Sequence, residues 1–289
     1  MVIIDFWRSN SLVLACSMGV FGLLIGSFIN VLVHRLPQML MRDWQKQARD
    51  LLELPADKDS VPFDLLVPRS SCPYCAYMIK PWENIPLFSW LFLYGKCSAC
   101  QHPISLRYPL VELTCAVLSM LVAWRYGVRL DALAMLVLTW GLLAISLIDA
   151  DQQIVPDVLV LPLLWLGLIV NSFAVFVGLS DAVWGAIIGY LSLWSIFWIF
   201  KLATGKDGIG YGDFKLLALI GAWGGWQVLL VTLLLSSVVG AVVGLLSLHL
   251  QGSNYSKPMA FAPYLALAGW IALLWNDEIT SSYLQLLGL

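Results

Sequence analysis

The chain has 289 residues, 60% of them hydrophobic and only 12% charged, with a formal net charge of −2. Soluble domains carry about a quarter charged residues, so the composition excludes an ordinary soluble protein and indicates a polytopic membrane protein whose surroundings are lipid. Without a basic excess, nucleic acid is excluded as a partner.

In chain order, apolar runs fall at 11–33, 108–124, 130–148, 157–178, 182–200, 214–250 and 259–275. A helix needs about 20 residues to cross the hydrocarbon layer. The 214–250 run is too long for one crossing, and "GAWGGW" at 221–226 breaks it into a shortish helix followed by a full one. The expected fold is therefore all-α with about eight transmembrane helices, seven being the alternative. Residues 1–33 read as a first span rather than a cleaved signal, because the apolar core follows Cys16 and Asp5 dilutes the basic start. Of sixteen Lys and Arg, nine lie in 34–107, and Lys201, Lys206, Lys215 and Lys257 fall on the same side of an eight-span topology. Only Arg8, Arg125 and Arg129 fall opposite. Basic loops stay cytoplasmic, which places the 34–107 insert in the cytosol.

Within that insert, "QMLMRDWQKQARDLLEL" (38–54) puts Met41, Trp44, Ala48, Leu51 and Leu52 on one helical face. That face lies either on the membrane surface or against the module that follows. Cys72, Cys75, Cys97 and Cys100 then form C-x2-C-x21-C-x2-C. Each C-x2-C pair presents two thiolates to one ion, and two pairs complete a tetrahedral site for a structural Zn2+ with no open position. A disulfide pairing is the rival, disfavoured in a reducing cytosol. His102 reads as a surface residue beside the cluster, and Cys16 and Cys115 as packing residues in apolar runs.

Ionisable groups near membrane depth are costly, so each begins as a functional hypothesis. Asp131, Asp157 and Asp181 read as first-turn acids of helices, and Asp277 with Glu278 closes the last run. Asp149 ends its apolar run in "LLAISLIDADQQIVPD", and Asp213 opens a later one in "GIGYGDFKLLALIGAW". Eight spans bring both to one membrane face. Two carboxylates in contact share a proton, one acting as acid while the other activates water; a chance pair of helix-end aspartates is the competing reading. Asp151, two residues on from Asp149, faces another side of a continuing helix. Gly210 and Gly212 leave room for backbone beside Asp213.

Five segments together resemble the type IV prepilin peptidases, bifunctional leader peptidase/N-methyltransferases of bacteria. They are "GSFINVLVHRLP" (26–37), the double C-x2-C, "RYPLVELTC" (107–115), "LIDADQQIVPD" (147–157) and "GYGDFKLLALIGAW" (210–223). Gly210, Gly212 and Asp213 form a G-x-G-D signature shared with intramembrane aspartyl proteases. The resemblance implies that Asp149 and Asp213 are the catalytic pair of an aspartic endopeptidase in the bacterial inner membrane. The substrates it implies are prepilins and type II secretion pseudopilins, cut at the cytoplasmic face. It also implies N-methylation of the new amino terminus from S-adenosylmethionine, for which Asn30, Arg35 and Glu112 are the candidates. No G-x-G-x-x-G loop supports that cofactor independently. The expected division is a first span (1–33), a zinc-binding and methyltransferase region (34–107), and a peptidase domain (108–289). The rival functions are a transporter, disfavoured because no internal repeat is evident, a membrane-anchored zinc adaptor, and a peptidase without methyltransferase activity. "GAIIG" (185–189) and "GAVVG" (240–244) allow close helix approach, more readily within the enzyme than to substrate.

Overall fold

The structure, a computed structural model, describes residues 10–54, 62–206, 208, 210–251, 260–275 and 278–279. Among these there are α-helices, one short 3-10 turn and no strands. The chain divides into two compact units, residues 1–132 and 133–289.

The first unit contains α1 (Ser11–Leu51), α2 (Phe88–Phe92) and α3 (Arg107–Tyr126). The first span and the amphipathic 38–54 segment are one continuous 41-residue helix with Pro37 inside it. At about 1.5 Å per residue α1 is roughly 60 Å long, twice what a bilayer core requires. Its last turns therefore run on from the span, and residues 41–51 are exposed throughout. Arg35 and Arg42 tie it to the following loop: Arg35 donates to the carbonyls of Asp64 and Pro68, and Arg42 lies over the Phe63 ring. The span half of α1 packs along α3 through small residues. A Cβ on Gly26 would stand 2.7 Å from the Glu112 Cα, and one on Gly22 would stand 2.8 Å from the Ala116 Cα.

The second unit is built around α7 (Tyr211–Gly224), with α4 (Leu130–Gln152), α5 (Asp157–Ser172), α6 (Leu179–Thr204), α8 (Gln227–Gln251) and α9 (Ala262–Leu274). Five of the described helices, α1, α3, α4, α6 and α8, are long and apolar enough to cross a membrane, whereas α5 and α9 are shorter apolar helices. The predicted break in 214–250 falls at Gly225, whose φ of +75 ends α7 and turns the chain into α8. A helix that is apolar on all sides is buried, and α7 is: every residue from Phe214 to Gly224 except Lys215 is inaccessible. Asp131, Asp157 and Asp181 each sit in the first turn of a helix, as expected from dipole complementarity.

Contact between α6 and α7 depends on glycine. A Cβ on Gly189 would lie 2.7 Å from the Leu217 carbonyl oxygen, and Gly185 and Gly221 meet backbone to backbone. The first glycine pair of the sequence reading thus holds the helix bundle together, while a Cβ on Gly240 would meet nothing closer than 3.7 Å. Gly221→Ala is expected to cost about 1–3 kcal/mol by overpacking. Gly240→Ala should be nearly silent, and unfolding in mixed micelles measures both.

Candidate active site and metal centre

Asp149 lies in the last turn of α4. That helix ends on Gln153, which takes a positive φ of 55 and donates its N–H to the Asp149 carbonyl at 2.8 Å. The Asp149 carboxylate accepts the N–H of Ala262, the first residue of α9, at 3.2 Å. Asp213 is the third residue of α7, after the N-cap Gly210. Both side chains are buried, at 6% exposure each, and the Asp149 carboxylate acts electrostatically on that of Asp213. Two acids 64 positions apart are thus brought within electrostatic reach of each other. Asp151 is exposed, as predicted.

The two glycines beside Asp213 do different work. Gly212 makes room for Val155, because a Cβ there would lie 2.5 Å from the Val155 Cβ. Gly210 is exposed, and its nearest neighbour would be Asp213 Oδ2 at 3.4 Å, so it leaves the carboxylate open to one side. The Val155 contact and the ion pair of Asp157 with Lys215 at 2.7 Å fasten the loop after α4 to the start of α7. Asp157 is therefore both a helix-start acid and a tie next to the site.

Sequence reasoning missed the supports of this arrangement. Asn171, buried at the end of α5, donates to the carbonyls of Ala222 and Trp223 and accepts from Phe176 and Val177. Trp223 donates to the Leu163 carbonyl, and Trp270 donates to Thr139 at 2.8 Å, joining α9 to α4. The available signal was a polar residue inside an apolar run, since such residues bind helices together in membranes.

In the first unit, the four cysteines meet. Their sulfurs all lie within 4.8 Å of one another, with Cys72 and Cys100 at 3.8 Å, and all are free thiols. A tetrahedron of thiolates about 2.3 Å from a zinc ion has edges of about 3.8 Å, so the cluster fits the ion. The two knuckles share one geometry. In each, the first cysteine accepts from the residue four on (Ala76, Gln101) and donates to the carbonyl five on (Tyr77, His102). Ala76 and Gln101 take positive φ values of 56 and 61. The N–H groups of Tyr74 and Cys75 bring the Cys72 thiol down to about 7, well below the ordinary thiol range. His102 stacks on Tyr74 and does not join the cluster.

The three methyltransferase candidates of the first unit hold backbone. Asn30 donates to the Tyr108 carbonyl at 3.1 Å, Arg35 donates to Asp64 and Pro68, and Glu112 accepts the Leu87 N–H at 2.7 Å. All three lie where α1 and α3 meet their connecting segment.

Comparison with known proteins places these features in a family. The bacterial peptidase A24 N-terminal domain matches residues 20–126, and the type IV leader peptidase family matches residues 136–245. A protein of Stutzerimonas stutzeri named prepilin leader peptidase/N-methyltransferase is 62% identical over 98% of both chains. The chain belongs to the prepilin leader peptidase/N-methyltransferase family. Relatives of the same name share 58% identity in Pseudomonas aeruginosa, over 100% of this chain and 99% of theirs, and 56% in Aeromonas hydrophila, over 91% of both. No solved structure matches.

Within this leader peptidase family member, Gly210→Ala and Gly212→Ala are expected to separate. Gly212→Ala should lower stability by about 1–3 kcal/mol through Val155. Gly210→Ala has the space to fold normally, so any activity it loses reports crowding over the Asp213 carboxylate. Thermal unfolding alongside an activity assay reads both.

Proposed function

We propose that this chain is a membrane aspartic endopeptidase that removes the basic leader of prepilins and pseudopilins at the cytoplasmic face of the inner membrane. It then methylates the new amino terminus, with S-adenosylmethionine as donor. The observation that carries the peptidase reading is the Asp149–Asp213 pair, buried together in a bundle with an opening over Gly210. In the carboxylate form one aspartate takes a proton from water as the water attacks the scissile carbonyl. The other, protonated, donates to the carbonyl oxygen; as the tetrahedral gem-diol collapses, the first gives its proton to the leaving amine and the second takes one back from a gem-diol hydroxyl, so both return to their starting states. Gly210 leaves the space in which substrate backbone lies next to Asp213. The thirteen-to-three distribution of Lys and Arg supports the cytoplasmic assignment.

Cys72, Cys75, Cys97 and Cys100 would hold Zn2+ as a structural ion, since four protein ligands leave no position for chemistry. The methyl donor supplies the methyl group. Asn30, Arg35 and Glu112 are proposed to shape its site by fixing the backbone of 64–68, Leu87 and Tyr108 around the entry of α3.

Incubating the purified enzyme with a prepilin and S-adenosylmethionine, followed by mass spectrometry of the products, tests both halves. A shortened pilin bearing one added methyl is the expected product. A shortened but unmethylated pilin removes the transferase half, and an intact substrate in membranes and in detergent removes the proposal. Replacing Cys72 and Cys97 by Ala is expected to reduce bound zinc from one ion per chain to background, read by elemental mass spectrometry. Structural zinc binding contributes about 10–16 kcal/mol in small modules, so methylation should fail as the insert unfolds, while some cleavage persists.

A further inference from the structure

Between the two knuckles the chain leaves an apolar surface that the zinc cluster does not use. Phe88, Leu91 and Phe92 of α2 are 53%, 54% and 79% exposed, and Ile85, three residues earlier, is 49% exposed. Positions three and four apart share one helical face, so Phe88, Leu91 and Phe92 form a single stripe, with Ile85 in the extended segment that leads into it. The opposite side of α2 faces the module: Ser89 is buried and donates to the Trp82 carbonyl, and Trp90 donates to the Ile104 carbonyl. Trp82 and Tyr94 flank the stripe, at 64% and 88% exposure.

One bond sets the level of this surface. The N–H of Leu87, immediately before α2, is held at 2.7 Å by Glu112 Oε2. Glu112 is five residues into α3, about 7.5 Å along its axis from Arg107, and helical side chains lean toward the N-terminus. Leu87 is thereby seated alongside the first turns of a helix long and apolar enough to cross the membrane. Leu110, Leu113 and Val117 of α3 are 57%, 46% and 46% exposed along that apolar helix, where a membrane-spanning helix would meet lipid. Lys80 and Lys96 border the segment in sequence, while Glu83 is turned back onto the Lys80 N–H. Aromatic side chains at the rim, an apolar centre and basic flanks are the composition of a membrane-interface element.

We infer that α2 and its flanks, residues 82–94, are inserted into the headgroup–acyl boundary of the bilayer, with Phe88, Leu91 and Phe92 in contact with lipid. The surface goes beyond the enzymatic reading and does not depend on it. The zinc module then rests on the membrane instead of standing clear of it. If the module also carries methyl transfer, this keeps that region at the surface where a pilin amino terminus emerges.

The test places the photo-crosslinking residue p-benzoylphenylalanine at Phe88 or Phe92 of the full chain, in nanodiscs of phosphatidylethanolamine and phosphatidylglycerol. Leu110 serves as the lipid-facing reference and Tyr74, 69% exposed on the first knuckle, as the solvent reference. Lipid adducts at positions 88 and 92 are expected at least about tenfold above those at Tyr74 and comparable to Leu110. Adducts no higher than at Tyr74, or adducts to protein in place of lipid, overturn the inference. With the probe at Phe88, adding Phe92→Asp should reduce lipid labelling several-fold. Labelling from Leu110 in the same variant should be unchanged, which separates loss of insertion from loss of fold. Undiminished labelling at position 88 also overturns it.

Discussion

Asp149→Asn and Asp213→Asn are each expected to reduce prepilin cleavage by about 10²–10⁴-fold or more, the range over which positioned acids and bases act. Asparagine keeps the shape of aspartate and an oxygen acceptor, so the amide of Asp149→Asn can still receive the Ala262 N–H. What it removes is proton exchange, which each half of the pair must perform once per turnover. Both side chains are buried, and burial of two like charges works against folding. The variants should therefore be at least as stable as the parent. Loss of cleavage with unchanged or higher thermal stability, and Asp151→Asn fully active, is the combined signature. Cleavage near the parental rate in either variant would remove that residue from the mechanism.

Asn171→Leu is expected to destabilise the second unit by at least about 3 kcal/mol. The last carbonyls of any helix lack intrahelical partners, and in a membrane protein water is not there to replace them. Asn171 Nδ2 donates to two such carbonyls at the end of α7, Ala222 and Trp223, at 2.9 Å each. Its Oδ1 accepts from Phe176 and Val177 at 3.1 and 3.2 Å, closing the turn after α5. Leucine leaves four backbone groups without this partner, at about 1–3 kcal/mol for each that stays buried and unsatisfied. Asn171→Asp is the sharper probe: it retains the two accepted bonds but turns a carboxylate oxygen toward two carbonyl oxygens. Both variants should unfold at lower denaturant in mixed micelles. A loss under about 1 kcal/mol would mean that the end of α7 finds other partners.

Much of the fold was legible because its signals are local. Hydropathy located eight helical runs, and Gly225 fell inside the stretch where a break was expected, since a turn with φ of +75 needs the residue type visible in "GAWGGW". The cysteine spacing was equally local, and the two knuckles have the geometry their spacing implies. The run from 11 to 51 was less legible. Its hydropathy changes near residue 33, but a helix can leave the membrane without ending, and Pro37 did not stop α1. Asp157 looked like a helix start and is one, yet its ion pair with Lys215 spans 58 positions, and no periodicity reports such a partner.

The sequence by itself indicated the class of the protein, the order of its apolar helices, the four-cysteine cluster and the two candidate aspartates. Each rests on composition, on spacing within a segment, or on motifs that keep their order. Only the tertiary structure decided that α7 is enclosed by its neighbours, that Gly212 makes room for Val155 while a Cβ on Gly210 would come up against the Asp213 carboxylate, and that Asn171 closes the far end of the same helix. The reason is physical. Apolar residues that face lipid and those that face another helix have the same hydropathy, so burial inside a membrane protein is set by shape and by backbone groups seeking partners, which become visible only once the helices are packed.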